Sequence, residues 1–152
     1  MSDGAITMRD ATRADLPEVV RLILADSLSD HLEAGADEGG ALRGFETIEG
    51  DPNNRLIVAE IDGVVRGTMQ LTFIPQLTLR GNLILQVENV RVDSRLRSGG
   101  VGRQMMEWAV EQARARGCVV VQLMSNLGRT RAHSFYERLG FRRSHAGFKL
   151  AL

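Results

Sequence analysis

Arg97-Ser98-Gly99-Gly100-Val101-Gly102 places three glycines among arginines at 95, 97 and 103. Glycines leave a backbone open to close approach. If a helix follows, its first N–H groups and positive dipole end favour an anion there. Flanking guanidinium groups add charge-assisted bonds to further oxygens, so a diphosphate fits the description. No Lys-Ser or Lys-Thr follows the glycines and the dinucleotide fingerprint is missing, which disfavours nucleoside triphosphate hydrolysis. Other reactive groups are sparse. His31, His133 and His145 lack metal-ligand spacing, so no metal is expected. The single cysteine, Cys118, excludes an internal disulfide and reads as a small buried hydrophobe. Neither Ser125 nor Ser134 has a visible His/Asp partner, so a covalent acyl-enzyme is not expected. Glu88 lies among Leu85, Val87 and Val90, a setting that could raise a carboxylate's pKa; the alternative is an acid paired with an arginine. Tyr136, the only tyrosine, shares one helix face with Ala132, Phe135 and Leu139, a spacing that by itself places it in a core.

The elements that must carry these residues follow from periodicity and turn chemistry. Residues 5–9 form a short strand, and Asp15 caps a first helix that opens with Leu16 and Pro17. Gly35, Gly39 and Gly40 interrupt the acidic stretch after Asp30, leaving a loop and a second helix near 41–48, with a turn at 51–54. Residues 56–61 and 64–73 make a hairpin across Asp62-Gly63. A strand at 83–92 leads into the glycine stretch. A helix follows, with Val101, Met105, Trp108, Ala109 and Gln112 at helical spacing through Arg116. The apolar run 119–124 reads as a strand buried on both faces, reached by a crossover that would make it parallel to 83–92. A last helix, 130–139, stops at Gly140, and 141–150 would complete the sheet. The expected fold is α/β (α+β), with six to seven strands in a mixed twisted sheet and about four helices in one domain spanning 1–152. Residues 1–4 form a loose tail.

Nineteen cations balance nineteen anions, so long-range attraction to nucleic acid or an anionic membrane is not expected. No run approaches the ~20 apolar residues of a membrane span, and no signal peptide is recognisable, which points to the cytoplasm. The distribution is uneven. Residues 26–51 hold eight acids and one cation, whereas from Arg91 onward eleven arginines and Lys149 face four acids. That asymmetry fits an anionic ligand at one part of the molecule and a cationic one at another, or two solvated faces.

Two segments together resemble the GCN5-related N-acetyltransferase (GNAT) family. Val90-Arg91-Val92-Asp93-Ser94 followed by Arg97-x-x-Gly100-x-Gly102 is similar to the family's acyl-CoA motif. Residues 132–141, Ala-His-Ser-Phe-Tyr-Glu-Arg-Leu-Gly-Phe, are similar to its C-terminal helix. The resemblance implies an acetyl-CoA-dependent N-acetyltransferase acting on a primary amine, small-molecule or peptide, with a non-catalytic acyl-CoA sensor as the alternative. It implies that the backbone of Arg97, Ser98, Gly99, Gly100, Val101, Gly102 and Arg103 holds the pyrophosphate, that Val90 and Val92 bond the pantetheine arm, and that Asn126 reaches the cofactor. Relatives often carry Asn seven residues before the tyrosine; here Arg129 stands there. Tyr136 becomes the general acid for the departing thiolate. Glu88 becomes the base that an amine of pKa about 10.4 requires. The acceptor would approach past 26–51, with His31 and Glu33 as contacts, and past 142–147. A homodimer is also consistent with the resemblance.

Overall fold

The computed structural model describes residues 4–25 and 38–152, in two compact units, Met1–Gln122 and Leu123–Leu152. The first unit opens with β1 (Ile6–Asp10), a 3-10 turn at Arg13–Asp15, α1 (Leu16–Ala25) and α2 (Glu38–Glu49). β2 (Asn54–Ile61), β3 (Val64–Pro75) and β4 (Leu83–Val92) follow, then α3 (Val101–Ala115) and β5 (Cys118–Leu123). The second unit carries α4 (Thr130–Arg138).

The sheet runs β1-β2-β3-β4-β5, and the first four strands pair antiparallel in sequence. Asp62 (φ 51°) and Gly63 (φ 76°) supply the two positive dihedrals of a tight hairpin turn, as their types predict. One sheet face receives α1, whose Val19 and Leu22 pack on Val58 and Val65. On the other, Ile57 lies opposite Met69, Leu71 opposite Val87 and Phe73 opposite Leu85, all buried. α3 buries Val101, Met105, Met106, Ala109 and Ala113. Gly67 lets Met105 seat closely, because a Cβ there would lie 2.7 Å from the Met105 sulfur. Trp108 and Gln112 flank this stripe instead of joining it: Arg55 stacks 5.4 Å from the Trp108 ring centre and donates to Gln112 Oε1 at 2.7 Å.

Several expectations change. The sheet has five strands, not six or seven, and residues 141–152 carry no strand. The stretch 141–150 is expected to complete the sheet, but a strand exists only where a neighbour supplies a ladder. β5 is not covered on both faces: Val119 and Val120 are 52% and 40% exposed. Asp15 does not cap α1 directly. Its carboxylate accepts the Thr12 N–H at 2.7 Å and a two-pronged Arg9 guanidinium, which holds its pKa down to about 2.

Candidate active site

The glycine stretch occupies the turn from β4 into α3. Asp93 ends the strand almost fully buried, and its carboxylate accepts the Arg95 backbone N–H at 3.1 Å and the Arg95 side chain at 2.6 and 3.0 Å. Arg66 of β3 donates to it at 3.2 Å, and Arg21 of α1 lies 3.6 Å away. The Arg95 bonds, chiefly, hold the Asp93 carboxyl well below the usual range. This acid therefore anchors the base of the loop to two other elements. Beyond it the Gly99 N–H bonds Leu96 O at 3.1 Å, Ser98 takes φ 69°, and Gly100 precedes α3 in the left-handed region at φ 84°. Helix geometry leaves the N–H groups of Val101, Gly102 and Arg103 without intrahelical acceptors, and the dipole's positive end lies there. Val101 turns its side chain into the core, so the loop offers backbone outward. Of the three arginines placed around it, Arg95 is committed to Asp93. Arg103 donates to Glu107 at 2.8 Å in an exposed pair that a stronger anion can displace.

The strand feeding this loop is irregular where the sequence places the cofactor contacts. Gln70 lies opposite Glu88 and Thr68 opposite Arg91, so Asn89 and Val90 together face the single residue Met69, a β-bulge with Asn89 at φ 52°. Asparagine is poor in strands yet tolerates the left-handed region, the one sequence signal that could have marked this break. Glu88 is exposed and shares the α1 and α2 face with Gln70. Leu85 and Val87 lie across from Phe73 and Leu71 on the opposite face, so they do not form the apolar shell expected around the carboxylate. Around Glu88 this face is polar. Thr72 Oγ1 donates to Asn54 Oδ1 at 2.7 Å, and Gln122 donates to Gln86 at 2.7 Å. Above it α1 and α2 leave a cavity of about 170 Å³ that reaches Asn89.

In the second unit Asn126 shapes the turn before α4. Its side-chain oxygen accepts the Gly128 N–H at 2.9 Å, and its carbonyl lies 2.8 Å from His133 Nε2. Arg129 stands at the N-cap of α4. Tyr136 is half-buried between Phe135 and Phe141, with ring centres at 5.1 and 5.9 Å in edge-to-face contact, on a helix that buries no residue completely. His31 and Glu33 lie outside the described residues. Burial raises the Cys118 thiol pKa, opposite to what a nucleophile needs. Among the described residues no group of three or more His, Cys, Asp or Glu could hold a metal, and no helix is long and apolar enough to cross a membrane.

Comparison with known proteins identifies the family to which this strand, glycine turn and helix belong. The model of the acetyltransferase (GNAT) family matches residues 16–141. The chain belongs to this family. Relatives include an aminoalkylphosphonate N-acetyltransferase of Salmonella typhimurium, 33% identical over 95% of this chain and 90% of its own. A glucosamine 6-phosphate N-acetyltransferase of Trypanosoma brucei brucei is 30% identical over 88% of this chain and 95% of its own. The crystal structure of a transcriptional regulator from Bacillus halodurans is 37% identical and superposes with a TM-score of 0.89 over 97% of this chain and all of that one. This GNAT chain is thus an acetyltransferase, and its mixed five-strand sheet with four helices is the family's architecture.

Proposed function

We propose that this enzyme transfers the acetyl group of acetyl-CoA to the primary amine of a small acceptor by direct attack on the thioester. The observation that carries the reading is the bulged β4 running into a left-handed Gly100 at the N-terminus of α3. The backbone of residues 97–103 is open to a pyrophosphate, and the absence of side chains at Gly99 and Gly100 matters. A Cβ at Gly99 would press on Leu96 O at 3.1 Å, and one at Gly100 would be strained by its φ. The backbone of Val90 and Val92 would bond the pantetheine arm, and Asn126 is a further proposed cofactor contact.

Glu88, exposed two residues before Val90, takes the proton of the acceptor's ammonium directly or through water. The freed amine forms the new C–N bond as the C–S bond breaks. The phenol of Tyr136 gives its proton to the departing sulfur and is reprotonated, directly or through water, by the second proton that the nitrogen sheds as the amide forms. No covalent enzyme intermediate is needed, in keeping with the raised Cys118 pKa. The Asp93 cluster ties the base of the loop to β3 through Arg66.

Calorimetric titration with acetyl-CoA, paired with thiol release on an amine panel, tests this. Wild type should bind acetyl-CoA at micromolar concentration and acetylate at least one amine. Tyr136→Phe should lose at least tenfold in kcat at unchanged acetyl-CoA affinity. Tight binding without turnover for any amine would leave an acyl-CoA sensor, and no binding at millimolar ligand would reject the site.

A further inference from the structure

The cavity under α1 and α2 has a chemistry that selects among amines. Its walls are Leu16, Val20 and Ile23 from α1 and Gly44, Phe45 and Ile48 from α2, and none of its described lining residues is charged. The polar groups of its floor are largely engaged already. Thr68 Oγ1 donates to the Ile57 carbonyl at 2.9 Å, and Gln70 donates to Asn54 Oδ1 at 3.3 Å. Asn54 is in turn bound by Asp51 at 2.7 Å. A phosphoryl or phosphonyl group placed here would lose its hydration with no cation to replace it, a cost that paired burial alone offsets. A hydrocarbon would lose nothing. In size, about 170 Å³ compares with the roughly 150 Å³ apolar cavity that accommodates benzene. Asn89, which lines the cavity, is next to the bulge residue Val90.

We infer that this cavity receives the hydrocarbon arm of the acceptor, which is an alkyl- or arylalkylamine of about six carbons with its amine at the Asn89 end. The inference rests on the acetyl-transfer reading for the position of the thioester along Val90 and Val92. It sets this chain apart from the two relatives named for phosphonate- and phosphate-bearing substrates.

The test is a homologous series, propylamine to hexylamine with phenethylamine, against 2-aminoethylphosphonate, followed by thiol release at saturating acetyl-CoA. Each methylene should raise kcat/KM about fourfold, the equivalent of ~0.8 kcal/mol, until the cavity is filled near six carbons. The phosphonate should fall below butylamine. Gly44→Leu supplies the structural control. A side chain added there meets nothing within 4 Å, so it has room to reach into the cavity, and leucine is the better helix former. That variant should remain folded, retain its affinity for acetyl-CoA and lose the chain-length gradient. A flat series, a preferred phosphonate, or a gradient undiminished in Gly44→Leu overturns the assignment.

Calorimetry with hexylamine in the presence of CoA separates the two levels of the reading. Saturable hexylamine binding that Gly44→Leu weakens, without acetyl transfer, upholds the cavity's role and rejects the chemistry. Transfer to 2-aminoethylphosphonate without hexylamine binding does the reverse. Neither binding nor transfer of hexylamine rejects the cavity's role outright.

Discussion

Replacing Gly100 by alanine isolates the contribution of a single backbone dihedral to cofactor binding. At φ 84° and ψ −2°, with open space where a Cβ would stand, the substitution has no steric clash to resolve, and its cost is the left-handed conformation alone, about 1–2 kcal/mol for an L-residue. That cost can emerge in two ways. If the loop holds its shape, stability falls by the full amount, which for a chain of this size lowers Tm by about 2–8 °C. If the loop relaxes to negative φ, stability is spared, and binding must restore the conformation, which raises the acetyl-CoA Kd about 5- to 30-fold. Gly117, at φ 79° and equally unobstructed, closes the other end of α3 and serves as the matched control. Differential scanning and calorimetric titration on Gly100→Ala, Gly100→Asn and Gly117→Ala give both quantities. The losses in stability and in acetyl-CoA binding in Gly100→Ala should together come to about 1–2 kcal/mol. Asparagine should lose less because it tolerates the left-handed region. Gly117→Ala should lower Tm and leave Kd within twofold. No loss in either Tm or Kd in Gly100→Ala, or an equal weakening of binding in Gly117→Ala, refutes the loop's role.

Asp93→Asn should destabilise by about 2 kcal/mol, the lower part of the range for bonds to charged groups, because Arg95 is 70% exposed and regains water. Since the native carboxyl titrates below its unfolded value, its stabilisation is present above pH ~4 and is lost as pH falls toward the native pKa. The gap between the urea midpoints of wild type and variant should therefore stay constant from pH 6 to about pH 4 and narrow as pH falls below 4, and a gap unchanged below pH 4 would exclude the ion cluster as the cause. Gly67→Ala should cost about 1–3 kcal/mol in urea unfolding, because its Cβ would lie 2.7 Å from Met105 Sδ and 3.2 Å from the Arg91 carbonyl. Pairing it with Met105→Leu should give less than the sum of the single losses, and strict additivity would show that the contact is not what matters.

Much of the architecture is legible in residue order because its signals are local. Asp62-Gly63 forces a tight turn, Gly100 and Gly117 bracket α3, and the Val/Ile/Leu run 83–92 begins and ends where β4 does. The glycine stretch is recognisable for the same reason: bare backbone ahead of a helix is a property of neighbours in sequence. Three things required the fold. The bulge at Asn89 exists only because Gln70 and Thr68 of another strand set the register on either side of it. Asp93, one acid among nineteen in the sequence, becomes the anchor of the loop because strand pairing brings Arg66 beside it from 27 residues away. The neighbours of Glu88 in sequence proved to lie on the opposite sheet face, since alternation sends adjacent side chains apart, and the strand expected at 141–150 has no ladder. Spacing along the chain marked the glycine stretch as a candidate anion site and Glu88 as a candidate base, whereas the role proposed for Tyr136 came from the resemblance to a family. Which face each strand residue meets, and the uncharged cavity left between two helices and the sheet, were decided by long-range packing.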